Sequence, residues 1–467
     1  MSRTTRGRLA GTAGLLLVVA FSIVAWRVRE VVAIGVAYKA KMVCSGTFVS
    51  RRASNEVLAD LQVDDLAILQ HLGVSIDDAT RSVTASAFGI VTRQAVYRDG
   101  VGCALVLDGL TPPHLPSKDT TNAGAEVRAL RAAGLHETAT RTDTQGGALD
   151  AAIDRAFSEP DPTRPRRTLA VVVVHRGQIV ADRYAAGLGP DTPLMGWSMT
   201  KSVMNALAGI LVKEGRLSLH SPVPMQEWRG RDDPRREITL DNLLRMSSGL
   251  RFDEGMSNPR ADVMRMLLDV GDAAQVATNK DLTDPPGSTW RYSSGTTNII
   301  SRAMRNALRD DSVYWNFPRL ALFDRLGMAS AILETDAAGT FIGSSYMYAT
   351  ARDWARFGIL YLHDGVWDRE RILPDGWVKY TTTPAPADPR RGYGAHFWLE
   401  VPEAYRGTDG RLPVGTFHAA GHEGQFVTIV PSREAVIVRL GHTRYPESWD
   451  HAAFVREVLA ALDHVRR

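Results

Sequence analysis

The chain has 467 residues, 44% of them hydrophobic and 23% charged, a balance that fits a globular protein with a sizeable core and excludes a disordered or fibrous one. A net charge of +3, with no basic tract interleaved with aromatics, excludes an extended nucleic-acid surface. The length exceeds what one hydrophobic core usually serves, which predicts one large two-part domain with additional segments.

Arg3, Arg6 and Arg8 precede an uncharged stretch from Leu9 to Trp26, after which Arg27, Arg29 and Glu30 restore charge. A stretch of this length sits at the lower edge of a membrane span, where about 20 residues are typical. It reads as an export signal or a signal anchor. The basic residues before it favour a cytoplasmic N-terminus with the remainder crossing the membrane. Ala33, Gly35 and Ala37 offer small residues for cleavage, but the intervening charges favour an uncleaved anchor. Cys44 follows Lys41-Met42-Val43, which is no lipobox.

Cys44 and Cys103 are the two cysteines. An even pair downstream of an export segment reads as a disulfide closing a long loop; without that segment, two buried thiols would serve equally well. From Met42 to Leu107 short apolar runs alternate with polar turns, among them Gly46 to Val49 and Cys103 to Leu107, predicting a small accessory region of mixed strands. Pro112 to Pro116 and Asp119 to Gly124 read as a linker. Three parts follow: residues 1–35 as signal or anchor, 36–145 as accessory region and linker, and 146–467 as the main domain.

Ala148 to Phe157 is a short amphipathic helix. Leu169 to Val174 and Ile179 to Tyr184 are strands around a turn at His175 to Gln178. Helical periodicity dominates from Ser198 to about Tyr380. Strands return at Gly415 to Ala420, Gln425 to Val430 and Ala435 to Leu440, and a helix closes the chain from Ala452 to about His464. Strands at both ends of a helical middle predict an α+β fold: one antiparallel sheet completed by distant segments, flanked by helices, with a helical subdomain inserted.

Within that frame three polar clusters stand out. Ser198-Met199-Thr200-Lys201 opens a helix, and residues three apart share a helix face, so the Ser hydroxyl and the Lys amine can meet. A buried Lys tends toward its neutral form and can then accept the hydroxyl proton. The second cluster runs from Pro285 to Gly295 and holds Tyr292, a possible proton relay if Lys201 lowers its pKa, and Ser294 on the same side. The third, Phe417 to Gln425, has glycines that let backbone approach a ligand. Taken singly, the three are also a helix cap, a turn with a half-buried aromatic, and a hairpin loop with two solvated histidines. Trp197 fits either a substrate pocket or core packing.

In order and spacing these clusters resemble the serine β-lactamase and penicillin-recognising enzyme superfamily, on its class C and D-alanyl-D-alanine carboxypeptidase side. The resemblance covers roughly residue 148 to the C-terminus and includes the segment Ile238 to Leu250. Within the superfamily the chain is most similar to the 6-aminohexanoate-dimer (nylon-oligomer) hydrolase branch, through Ser345 to Gly358 and Gly421-His422-Glu423-Gly424-Gln425. The resemblance implies a β-lactamase/transpeptidase-like fold and a serine hydrolase working through an acyl-enzyme. Ser198 would be the nucleophile, Lys201 its proton acceptor and Tyr292 the relay to the leaving group. The backbone amides of Ser198 and Gln425 would form an oxyanion hole, with Ser294, His422 and Gly424 toward the substrate.

Two departures from the family pattern matter. Ser294 stands where most β-lactamases have Asn, and His422-Glu423-Gly424 aligns with Lys-Thr-Gly. Glu423 would add negative charge where Thr helps to hold a β-lactam carboxylate. A small-molecule amide or ester is therefore the expected substrate. A cell-envelope carboxypeptidase or β-lactamase, and a non-catalytic envelope binding protein, are the alternatives. With no H-E-x-x-H and no paired-Cys spacing, neither a metal nor a cofactor is expected. The expected location is the cell envelope, anchored in the inner membrane or exported, with the catalytic domain outside the cytoplasm.

Overall fold

Helix α1 runs unbroken from Arg3 to Cys44, a stretch without proline. The computed structural model describes residues 3–61, 69–112, 147–407 and 411–464. The linker read between Pro112 and Gly124 lies, beyond Pro112 itself, outside the described residues. The first half of α1 exposes Leu16, Val19 and Trp26, whereas Ala33 to Ser45 is mostly buried, so the helix passes without interruption from an apolar segment into the protein core. By length and composition the segment Trp26–Val49 is apolar enough to cross a membrane, but 61% of that apolar window is buried inside the protein, and it lies C-terminal to the Leu9 to Trp26 stretch.

Ser45–Val49 continues α1 as a π-helical turn, where the apolar pattern predicted a strand. The reason is the close approach of α2 (Ser54–Asp60): a Cβ on Gly46 would lie 2.5 Å from the Val57 side chain. The strands expected of the accessory region come later. Gly73–Asp77 (β1), Ser82–Ala87 (β2), Val91–Arg98 (β3) and Gly102–Leu105 (β4) form an antiparallel sheet in that order, packed on the buried half of α1. Cys44 is disulfide-bonded to Cys103, with Cα atoms 6.1 Å apart, so the end of α1 is tied to β4.

The rest of the chain builds the predicted sheet. Helix α3 is Ala148–Phe157, and strands β5 (Thr168–His175) and β6 (Gln178–Tyr184) follow. Helices α4 (Met199–Lys213), α5 (Ser294–Leu308) and α6 (Ala351–Leu362) belong to the middle. Strands β7 (Phe417–Gly421), β8 (Gln425–Val430) and β9 (Ala435–Gly441) precede the last helix, α7 (His451–His464). The five-stranded order is β7-β8-β9-β5-β6, all antiparallel, with Ile437 opposite Val173 where the two ends of the chain meet.

Both faces of this sheet are covered, which explains uninterrupted valine runs in place of polar alternation. Val172, Val174, Val436 and Val438 join the core that holds α4 and α6, while Val171, Val173 and Ile437 join the one built by α3 and α7. Helix α4 is buried on every side from Met199 to Leu211 and is the core helix of the molecule. Its N-terminus abuts the open edge strand, β7.

Candidate active site

Trp197 delivers the chain to α4 with φ 46°, a left-handed conformation that costs a non-glycine residue about 1–3 kcal/mol. Packing holds it there. The indole Nε1 donates to Glu423 Oε2 at 3.3 Å, and the ring stands edge-on to His422 at 5.4 Å. Ser198 follows at the helix N-cap position, yet its hydroxyl makes no capping hydrogen bond. It accepts instead from Lys201 Nζ at 2.9 Å.

Lys201 is 1% exposed. Besides Ser198, its ammonium donates to Ser294 Oγ at 3.1 Å and to the Ser344 carbonyl at 2.9 Å. Burial lowers its pKa to about 8, against an opposing pull from the Glu254 carboxylate. A sizeable neutral fraction at mild pH follows, and a neutral amine beside a hydroxyl can accept its proton.

Tyr292 stands beside the Ser–Lys pair, its ring centroid 4.9 Å from Lys201 Nζ. The expectation that Lys201 lowers its pKa fails. Desolvation first, and the Glu254 charge second, push the phenol up, so it stays protonated and serves as a donor. Tyr292 stacks on Trp398 at 5.6 Å and meets the edge of Tyr393 at 6.0 Å, and Trp290 joins the same group 5.6 Å from Tyr393. These rings make one aromatic wall beside the Ser–Lys pair.

Glu254 escaped the sequence reading. Its carboxylate accepts from the Ser294 amide at 2.9 Å and from the Ser294 hydroxyl. The loop that carries it is pinned by Asp253, whose Oδ1 accepts from Gly255 N at 2.9 Å and whose amide donates to Asp262 at 3.0 Å. A single acidic residue in a polar loop has no periodicity and no motif. Only the fold brings it to the second cluster.

The third cluster divides. Gly421 ends β7 against the nucleophile turn: a Cβ there would lie 2.3 Å from the Gly196 carbonyl and 3.1 Å from the Ser198 amide nitrogen, so only glycine fits. His422, next in the chain, is exposed beside Trp197. Gln425 is the register partner of Gly421 across the hairpin, its Cβ 3.1 Å from where a Cβ on Gly421 would stand. It opens β8, which is paired on both sides, and its side chain exchanges hydrogen bonds with Gly441, Oε1 accepting from the Gly441 amide at 3.0 Å. The Gly424 carbonyl is taken by Arg439 Nη1 at 2.8 Å. Gly421 is thus the residue of this cluster set against the Ser198 turn, with His422 next to it, while the Gln425 side chain is committed to the sheet.

Glu423 is also reoriented. With φ 60° it turns inward, 3% exposed. Burial would raise its pKa, but the hydrogen bond from His442 Nδ1 at 3.0 Å and the charges of His422 and Arg444 hold it well below the usual carboxylate range. It braces Trp197. His442 Nε2 in turn lies 3.7 Å from Asp60 on α2, so the N-terminal region reaches the back of the site. His418, which a solvated loop would expose, is buried on β7 and bonded to Thr428 at 2.9 Å.

Comparisons with known proteins bear on the family and the fold. The family described as Beta-lactamase matches residues 153–461. The chain is 24% identical over 329 residues to the 6-aminohexanoate-dimer hydrolase of Paenarthrobacter ureafaciens, covering 64% of this chain and 79% of that one. Among solved structures it is similar to a candidate 6-aminohexanoate-dimer hydrolase from Bacillus anthracis (TM-score 0.54, 24% identity, 64% of this chain and 80% of the other). It is also similar to a penicillin-binding protein homologue from Caulobacter crescentus (TM-score 0.50, 20% identity, 68% and 96%).

Proposed function

The chain belongs to the beta-lactamase family, and we propose that within it this protein is a serine hydrolase that forms an acyl-enzyme at Ser198 on an amide or ester substrate. The observation that carries the reading is the buried Lys201 ammonium 2.9 Å from the Ser198 hydroxyl, with a pKa drawn down to about 8. Neutral Lys201 takes the hydroxyl proton as Ser198 Oγ attacks the carbonyl carbon. The backbone amides of Ser198 and His422 receive the developing oxyanion, the second replacing the Gln425 amide because Gly421-His422 is the edge beside the nucleophile. Tyr292, protonated and beside Lys201, passes its proton to the leaving group and is recharged from Lys201. Water then attacks the ester, with the same groups acting in reverse.

The second cluster supports an amide or ester over a β-lactam. Ser294 spends its hydroxyl on Glu254, which places a carboxylate where an anionic β-lactam or a D-alanyl terminus would bring another. The aromatic wall of Trp290, Tyr393 and Trp398 suits an apolar acyl chain. A fluorophosphonate probe should label the wild type and leave Ser198→Ala unlabelled. Equal labelling of both, read by intact mass, would remove Ser198 from its role. A panel of p-nitrophenyl esters, anilides and a fluorescent penicillin separates the readings: penicillin acylation points to the carboxypeptidase or β-lactamase alternative, and no turnover of any substrate to a binding protein.

Acylation should follow the neutral form of Lys201, rising with pH to a plateau above about 8. Glu254 favours the charged amine, so Glu254→Gln should move the rising limb of kcat/KM to lower pH. A limb that stays in place, or moves upward, would remove Glu254 from the control of Lys201.

The proposal extends to location. The apolar part of α1 spans the membrane uncleaved, with the hydrolase on the extracytoplasmic side. Two features support this: the basic residues before the span, and the way the same helix continues into the core, where cleavage near Ala37 would remove the buried Ala33, Ile34 and Val36 and leave Val43 and Cys44 on a shortened helix. The disulfide fits an oxidising compartment.

A further inference from the structure

We propose that the tip of the β2–β3 hairpin, Phe88-Gly89-Ile90, docks into the surface of the lipid bilayer beside the membrane-inserted part of α1, as a second contact of this protein with the membrane. The inference rests on the reading of α1 as an anchor.

The tip is apolar and uncovered. Phe88 is 87% exposed and Ile90 77% exposed, and no charged residue occurs from Ser82 to Thr92. Its backbone makes the choice of residue costly. Ile90 N donates to the Ala87 carbonyl at 2.9 Å, and the two central residues have φ 51° (Phe88) and 69° (Gly89), the left-handed pair of a type I′ turn. Asn, Asp or Gly suits the first of these positions, and a bulky aromatic does not. Among the described residues nothing buries the Phe88 ring to offset that cost, which is what a residue kept for an outside apolar phase looks like.

The tip also points the right way. At one end the disulfide joins Cys44 of α1 to Cys103, which lies opposite Tyr97 of β3. Further back along the helix, Lys39 Nζ donates to the Leu72 carbonyl at 2.6 Å, one residue before Gly73, which pairs with Ser86 near the far end of β2. Further still, Glu30 and Arg93 both act on Asp269, Arg93 Nη2 at 3.9 Å. Walking from Tyr97 toward the turn therefore accompanies walking up α1 toward its N-terminus. From Arg93 the strand runs about 13 Å more to Gly89. From Glu30 the helix needs only about 6 Å to reach Trp26, where the uncharged stretch begins. The hairpin tip thus stands at the level where the charges of α1 end.

An aromatic and a branched aliphatic side chain at that level match the boundary between headgroups and acyl chains. A single helix leaves a domain free to swivel about the helix axis. The second contact removes that freedom and fixes which way the cleft faces.

The test uses the full-length protein in phosphatidylcholine–phosphatidylglycerol vesicles. Both native cysteines are paired, so Phe88→Cys introduces one thiol for an NBD fluorophore; Ile90→Cys is the second probe and Val414→Cys, at a residue 97% exposed, the aqueous control. The expected result is blue-shifted emission at 88 and 90, with several-fold stronger quenching by nitroxide-labelled lipid than at 414. Protein that floats with the vesicles yet gives equal quenching at all three positions overturns the hairpin contact and leaves the anchor standing. A blue shift without lipid quenching assigns the tip to a second copy or another protein segment, and also overturns it. Protein that does not float at all removes the anchor and the proposal together.

Discussion

Replacing Lys201 by Ala is expected to lower kcat by roughly 10²- to 10⁴-fold on any ester the protein turns over, with KM little changed. The amine lies 2.9 Å from the Ser198 hydroxyl and is the group through which Ser198, Ser294 and Tyr292 communicate. Removing it takes away the proton acceptor without touching the aromatic wall that would bind substrate. Lys201→Arg separates base from scaffold: it keeps a cation, but a guanidinium does not lose its proton in proteins, so activity should stay low. Steady-state kinetics on both variants decide the matter. An Arg variant with near wild-type kcat would make Lys201 an electrostatic prop and overturn its role as base.

The largest effect on stability should come from Glu334. Its carboxylate, 0% exposed, takes Lys41 of α1 on one oxygen and the Ser45 hydroxyl (2.9 Å) and the Cys103 amide (2.7 Å) on the other. Glu334→Ala leaves an ammonium that is 1% exposed without its counter-charge, together with two unsatisfied donors. Breaking a buried pair in this way costs about 3–5 kcal/mol, whereas replacing both partners by apolar residues is often close to neutral. Thermal or denaturant unfolding should therefore show a severe loss for Glu334→Ala and substantial recovery for Lys41→Met/Glu334→Leu. A single variant as stable as the parent would exclude the ion pair as the clasp between α1 and the hydrolase part. The clasp matters to the site, because Lys41 lies 4.1 Å from the centroid of the Tyr346 ring, which contacts Trp197 at 6.3 Å.

The sheet was readable from the chain because both of its faces are covered: Leu169 to Val174 and Ala435 to Leu440 are continuous apolar runs of strand length, bounded by turns. The Ser198–Lys201 pair was readable for a similar reason, since helix geometry alone puts residues three apart on one face. The segment Gly46 to Val49 misled, because its apolar residues serve a helical turn whose shape is set by the close approach of Val57.

Local pattern therefore determined the strands, the core helix, the cysteine pair and the Ser198–Lys201 contact, all of which depend on neighbours within a few residues or on compartment chemistry. Tertiary structure decided the rest, because those features depend on groups brought from far along the chain. Glu254 reaches Ser294 across 40 positions and sets the charge felt by Lys201 and Tyr292. One left-handed residue turns Glu423 inward and leaves His422 at the strand edge. Burial, which no motif encodes, keeps the Tyr292 phenol protonated.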